Sequence, residues 1–82
     1  MTYHIDQIPK GTNGELSKVL EEVLEALDAE KQKCDVMVLV ELSDLLGAVE
    51  LYLEKHHPTI TLDSLITMKN ITKRAFKEGG RK

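Results

Sequence analysis

Aromatic residues are scarce in this 82-residue chain. Two Tyr and one Phe supply 4% of it, and there is no Trp. Non-specific binding of single strands relies on aromatic faces interleaved with cations, and a net charge of −3 weighs against nucleic acid as well. The lone cysteine, Cys34, leaves no internal disulfide and suits a reducing compartment. It falls between two helical patterns with no histidine near it in sequence, so it carries no catalytic expectation. No apolar run approaches the ~20 residues of a membrane span, and no signal peptide precedes the domain. The expected location is therefore the cytoplasm. The chain also has no phosphate-cradling P-loop, no Gly-rich dinucleotide fingerprint and no Ser/His/Asp constellation. Internal repeats and low-complexity segments are absent.

What is present is charge on helices. Charged residues make up 30% of the chain and apolar ones 41%, as in an ordinary folded domain. At this length one small domain is expected, with a core that is marginal in isolation. Residues 1–11 read as an N-terminal arm, with Tyr3, Ile5 and Ile8 available for packing and Pro9 interrupting it. His4 reads as a surface or packing residue. Gly11-Thr12-Asn13-Gly14 reads as a loop. Thr12 with Glu15 fits a capping box that starts the first helix there. Leu16, Val19, Leu20, Val23, Leu24 and Leu27 keep the helical period and predict one core-facing stripe. Glu15, Lys18, Glu22 and Glu25 fall on other sides, with Glu22 near the edge of the stripe. Glu21 and Asp28 are expected on the opposite, solvent-facing flank. A Lys-rich polar interval from Ala29 to Asp35 reads as a helix end and turn.

A second helix is predicted from about Val36 to about His57, apolar almost all round and hence buried on most sides. Leu42, Leu45, Leu46, Val49 and Leu53 form one apolar face; Ser43, Gly47, Glu50 and Glu54 form a small polar one. Glu41 and Asp44 share a third strip with Met37, Ala48, Leu51 and Tyr52, which predicts that both are at least partly buried. His56-His57-Pro58 is a stop signal, with cations suited to a helix C-terminus and proline barring continuation. Thr59 or Thr61 should cap a third helix from about Leu62 to Lys77. Its packing face is expected to hold Leu65, Met68, Ile71, Thr72, Ala75 and Phe76. Lys69, Lys73 and Lys77 line one of its edges, Asn70 and Arg74 share another, and Gly79-Gly80 ends the helix before a basic tail at 79–82. The fold expected is an all-α, small antiparallel bundle of three main helices, completed by oligomerisation because one narrow stripe and a partly polar third helix cannot cover the second.

The chemistry sits in two acidic pairs. Glu22 and Glu25 are three residues apart, as are Glu41 and Asp44, so each pair shares a helix surface one turn apart. Neighbouring antiparallel helices can bring such pairs to one point, and four carboxylates there call for divalent cations. Oxygen ligands suit Mg²⁺ or Mn²⁺, while a set poor in His and Cys speaks against zinc. The acids lie in helices, which excludes an EF-hand loop. Cations so held neutralise a polyphosphate and activate water, and basic side chains on an adjoining helix could hold the remaining phosphate charge.

Glu21-Glu22-x-x-Glu25 followed by Glu41-x-x-Asp44 resembles the E-E-x-x-E…E-x-x-D signature of all-α nucleoside triphosphate pyrophosphohydrolases, a group that includes MazG-like enzymes, dimeric dUTPases and phosphoribosyl-ATP pyrophosphohydrolases. The short MazG-like proteins often found in bacteriophages are the most similar: Gly14-Glu15-Leu16-Ser17-Lys18, Glu41-Leu42-Ser43-Asp44-Leu45 and Lys73-Arg74-Ala75-Phe76 all resemble that subgroup. The resemblance implies metal ligands at Glu22, Glu25, Glu41 and Asp44. It places the water-activating carboxylate within the first pair, on Glu25 ahead of Glu22. Phosphate contacts are implied at Lys73 and Arg74, with Lys69 preceding them. The implied reaction splits a nucleoside triphosphate between its α and β phosphates, giving a nucleoside monophosphate and pyrophosphate, in a dimer or tetramer working in the cytoplasm (that of the host for a phage protein). The chain departs from the pattern at Met37, where MazG enzymes often carry Lys one turn before the second motif, and in the adjacency of Lys73 and Arg74. Two other classes are expected to behave differently. A non-catalytic helical interaction or nucleotide-sensing module with a vestigial acidic cluster would bind without turnover. A nucleic-acid binder using the Lys69/Lys73/Lys77 edge would show strong salt dependence.

Overall fold

A computed structural model describes residues 7–77, which form three helices and, among the described residues, no strand. Helix α1 spans Leu16–Lys31, α2 Asp35–His56 and α3 Leu62–Lys77, so the domain is all-α. The arm residues Tyr3, His4 and Ile5, Gly79-Gly80 and the Arg81-Lys82 tail lie outside the described residues, as does the side chain of Ala75. No helix among the described residues is long and apolar enough to cross a membrane.

Helices α1 and α2 form an antiparallel hairpin. The turn between them is a Schellman closure: Cys34 N–H donates to the Ala29 carbonyl at 3.1 Å and Lys33 N–H to that of Glu30 at 2.9 Å. Lys33 takes the left-handed conformation this motif needs, at φ 58°. At the other end the Glu15 carboxylate binds Lys55 and accepts from His56 Nε2 at 3.0 Å, tying the start of α1 to the end of α2. Gly14 sits in this clasp at φ +85°, buried against the Lys55 side chain, a conformation that L residues other than glycine rarely adopt. The Thr12–Glu15 capping box does not form. Glu15 itself is the N-cap residue, its side chain is drawn to Lys55 and His56, and Thr12 N–H donates to Ser17 Oγ instead.

Helix α2 stops where the His56-His57-Pro58 signal places the stop, with His57 N–H donating to the Leu53 carbonyl at 2.7 Å. Thr61 caps α3: Ser64 N–H donates to Thr61 Oγ1 at 3.3 Å, and Thr61 N–H donates to Ser64 Oγ at 3.4 Å. Helix α3 touches only α2 among the described helices, and sparsely. Of its expected packing face, Leu65 and Thr72 are half-buried, while Met68, Ile71 and Phe76 are exposed.

Burial runs opposite to the apolar pattern on α1. Leu16, Leu20, Val23 and Leu27 are exposed, whereas Glu21 and Asp28, expected on a solvent flank, are buried at 3% and 1% exposure. The expectation fails because an apolar stripe tells which face avoids water in the end, not which helix covers it. Here α2 meets α1 at Glu22, beside Glu41 and Asp44, and the Gly11 loop closes on Glu21. Among the described residues, only Ala29, Ala48 and Leu53 are buried apolar residues, against four buried acids. On α2, Leu45 and Val49 are half-buried, and Leu42 and Leu46 face outward. Ile8 of the arm is half-buried, lining a hollow beside Leu24 and Leu27.

Candidate metal centre

The site is built on the inner side of the hairpin, where the acids of α1 meet the middle of α2. A loop prepares it. Gly11 lies so close to the first turn of α1 that a Cβ there would strike the Ser17 carbonyl and the Lys18 amide. That approach lets Gly11 N–H donate to Glu21 Oε1 at 2.8 Å. The same oxygen accepts from Lys18 Nζ at 3.2 Å, and Lys10 stands 3.6 Å from Oε2. Burial works to raise the Glu21 pKa, but the Gly11 amide and Lys18 outweigh it and hold the carboxyl below its ordinary value.

Lys18 also reaches Glu22 Oε2, at 3.3 Å. The other oxygen of Glu22, Oε1, is buried and makes no hydrogen bond among the described residues. Glu25 follows one turn later. Burial first, then the charge of Glu22 and hydrogen bonds with Glu21 and Glu22, push its carboxyl up to about 7. From α2, Glu41 is fully buried at 0% exposure. Burial and the neighbouring Asp44 raise its pKa too. Asp44 is exposed, contrary to the expectation that both acids of this pair are partly buried. Three positions rotate a helical residue by roughly 60°. Glu41 is thereby buried while Asp44 stands on the wall of an adjoining hollow.

Two groups of carboxylates result, each with ligand oxygens within 4.8 Å of one another: Glu21, Glu22 and Glu25, and Glu22, Glu41 and Asp44. Octahedral Mg²⁺ with bonds of about 2.1 Å sets its ligand oxygens roughly 3.0 Å apart when adjacent and 4.2 Å when opposite. The 4.8 Å bound is wider than either spacing, so the carboxylates would draw in slightly around such an ion, and the all-oxygen donor set suits a hard cation. Glu22 is common to the two. All four expected ligands, Glu22, Glu25, Glu41 and Asp44, therefore gather around Glu22, with Glu25 on the α1 side only. Glu21 completes the first group and is the residue that sequence reasoning missed. Its signals are there in hindsight: it lies four before Glu25 and three after Lys18, both facing distances on a helix.

A hollow of about 430 Å³ opens beside this cluster, walled by Lys18, Glu22, Asp44 and the polar strip of α2 that carries Ser43, Gly47 and Glu50. Lys69, Lys73 and Arg74 do not line it. Lys73 and Arg74 form a separate shallow hollow on α3 with Asn70 and Lys77, and Lys69 donates to Asn70 Oδ1 at 2.9 Å. Within one chain the acids and these cations are not brought together. No family model, curated protein or solved structure matches the chain.

Proposed function

We propose that the chain is a metal-dependent nucleoside triphosphate pyrophosphohydrolase of the MazG-like kind, acting in the cytoplasm. One observation carries the reading. Glu22 is shared by two acid clusters, one within α1 and one spanning α1 and α2, and one of its oxygens is buried with no hydrogen-bond donor among the described residues. A carboxylate oxygen withdrawn from water without a partner is costly, and a divalent cation would offset that cost. Glu22, Glu41 and Asp44 would hold Mg²⁺, or Mn²⁺ in its place, with Glu25 and Glu21 flanking. When bound, the cation neutralises polyphosphate charge and polarises phosphorus. Glu25 stands outside the Glu22–Glu41–Asp44 group, where a proton acceptor for the attacking water is needed. Water adds to phosphorus, its proton passes to Glu25, and the bridging oxygen leaves with the bonding electrons as pyrophosphate. The test is a screen of the common nucleoside triphosphates with Mg²⁺ or Mn²⁺, read as pyrophosphate release beside calorimetric titration of the cation alone. Cation binding with no release from any of them rejects the enzyme.

That outcome would favour the second reading, a nucleotide-sensing or interaction module. Its support is Lys18, an internal cation already paired to Glu21 and Glu22.

The working unit in this proposal is a homo-oligomer, a dimer or a tetramer. Leu16, Leu20 and Leu27 of α1 and Leu42 and Leu46 of α2 are exposed, apolar surface that a second copy would cover. Charge supports a second copy as the occupant. Helices α1 and α2 carry ten acids and three cations, while α3 carries four cations and one acid. The Lys73–Arg74 edge of one copy thus suits the acidic hairpin of another, and contributes phosphate contacts there in trans. Sedimentation equilibrium at micromolar concentration checks the assembly; an active monomer rejects it.

A further inference from the structure

Among the described side chains walling the 430 Å³ hollow, Lys18 is the single cation, and the others that carry charge are Glu22, Asp44, Glu50 and Glu54. A polyphosphate entering that space meets four acids and one ammonium. Lys18 is not placed there by chance of exposure: its side chain is 26% exposed, and its Nζ lies 3.2 Å from Glu21 and 3.3 Å from Glu22. The spacing in the chain sets this up, since Lys18 precedes Glu21 by three and Glu22 by four on one helix. Its ammonium therefore sits on the carboxylate that both acid clusters share. Burial lowers its pKa, but the two carboxylates outweigh burial and keep the ammonium charged.

A cation binding at the free Oε1 of Glu22 shares one carboxylate with the ammonium on Oε2, and the two positive charges repel. That repulsion weakens the hold of the glutamates, and the ammonium, on a four-carbon stem at the wall of the hollow, can then turn into it. Lys is suited to that exchange, being a flexible point charge with three rotatable donors, whereas an Arg would hold its carboxylates in a fixed fork. Resting on the metal-dependent reading of the site, we propose that Lys18 is a positioning residue with two alternating partners: the Glu21–Glu22 carboxylates before a divalent cation binds, and an anionic phosphate group of the nucleotide afterwards. It is thus the phosphate contact that the hairpin supplies from its own chain, independent of the cations on α3.

The two partners require opposite signs from one substitution. In Lys18→Met and Lys18→Gln, Mn²⁺ alone should bind roughly tenfold more tightly, because a unit positive charge beside the site is gone. Saturated with Mn²⁺, the same variants should bind α,β-methylene nucleoside triphosphates roughly tenfold more weakly, and Lys18→Arg should restore part of that loss. Calorimetry reads both without turnover. Lys18→Gln keeps a hydrogen-bond donor for Glu21 and guards against a variant that fails to fold. If Lys18 merely holds the glutamates in place, Mn²⁺ and nucleotide affinities fall together, and that result overturns the proposal. So do affinities that stay within twofold of the parent chain. A parent chain that binds no Mn²⁺ overturns the metal reading and this proposal together. A parent chain that binds Mn²⁺ and nucleotide but releases no pyrophosphate rejects the enzyme alone, and the paired affinities still decide the role of Lys18.

Discussion

The two sides of α1 exchange the roles that a soluble helix normally gives them. One flank holds Glu21, Glu22 and Asp28, all buried; the other holds Leu16, Leu20 and Leu27, each at least half exposed. Burying carboxylates is unfavourable, and so is leaving leucines in water, at about 25 cal/mol per Å² of apolar surface. One chain alone therefore accepts two penalties on one helix. Each is relieved by something of opposite character: positive charge on the inner side, apolar cover on the outer. The difference separates a site from an interface within a single helix, and substitutions on the two sides should fail in different ways.

The largest effect is expected on the inner side. Glu41→Gln should remove at least a hundredfold of Mn²⁺ affinity and all measurable pyrophosphate release. It should leave the metal-free fold intact, since neutralising one member of a crowded acid cluster relieves repulsion. Glu41→Ala or Asp44→Ala should likewise abolish cation binding without unfolding. Melting curves taken beside the titration decide this. A loss of several kcal/mol with Mn²⁺ binding retained would make Glu41 a structural partner.

On the outer side, Leu20→Glu should leave the acid cluster untouched and break the assembly instead. A charge introduced at a packed apolar contact costs about 2–5 kcal/mol, enough to move sedimentation at micromolar concentration to monomer. Unaltered mass would show that the leucine stripe faces solvent in the working molecule, and the contrast between the two sides would lose its meaning.

Much of this was legible in the chain, for reasons that mark the boundary of such reading. Local signals act within a helix. The His57-Pro58 stop, the Thr61 cap and the periodicity of residues 62–77 place the ends of α2 and α3 correctly. The burial of Glu41 was legible too, because its strip on an almost wholly apolar helix had nowhere else to go. What failed was relational. Nothing in α1 says which of its faces meets α2, so its sequence predicts Glu21 and Asp28 in solvent and the leucines in the core. Asp44 shares a strip of α2 with Glu41, yet it is exposed where Glu41 is buried. The phosphate cations on α3 share the difficulty, because their distance from the acids depends on packing that the chain does not complete by itself.

The buried acids also predict how the metal-free protein responds to pH. Glu25, raised to about 7 from an ordinary 4.5, holds its proton in the folded state after the unfolded chain has released it. Glu41 is raised as well. A carboxyl of raised pKa favours folding fully below pH 4.5, and its contribution is lost as pH climbs through the folded value. Glu15 and Glu21, both lowered, act in the other direction, and their contribution is lost only as pH falls below about 4.5. Between pH 4.5 and 7 the melting temperature of the metal-free chain should therefore fall, on the order of 5–10 °C. Saturating Mn²⁺ should flatten or reverse that slope, since ligation requires the deprotonated form. A metal-free melting temperature that rises through this window would mean that the acids are not held in a protonated cluster.

The smallest effect concerns the acid that is buried but lies outside both clusters. Asp28 is 1% exposed and accepts a hydrogen bond from Gln32 Nε2 at 2.8 Å, in the last turn of α1. A negative charge near a helix C-terminus opposes the macrodipole. Asp28→Asn removes that unfavourable term while keeping an acceptor oxygen for Gln32, and in exchange gives up one charge-assisted bond. These changes oppose each other, so the net loss should be about 1 kcal/mol or less, a few degrees in melting temperature. Mn²⁺ affinity should stay within twofold, because Asp28 belongs to neither carboxylate group. A tenfold fall in Mn²⁺ affinity in Asp28→Asn would extend the site along the whole inner side of α1. With affinity unchanged, burial alone would not mark an acid on this helix as a ligand: the acids that matter are those gathered around Glu22.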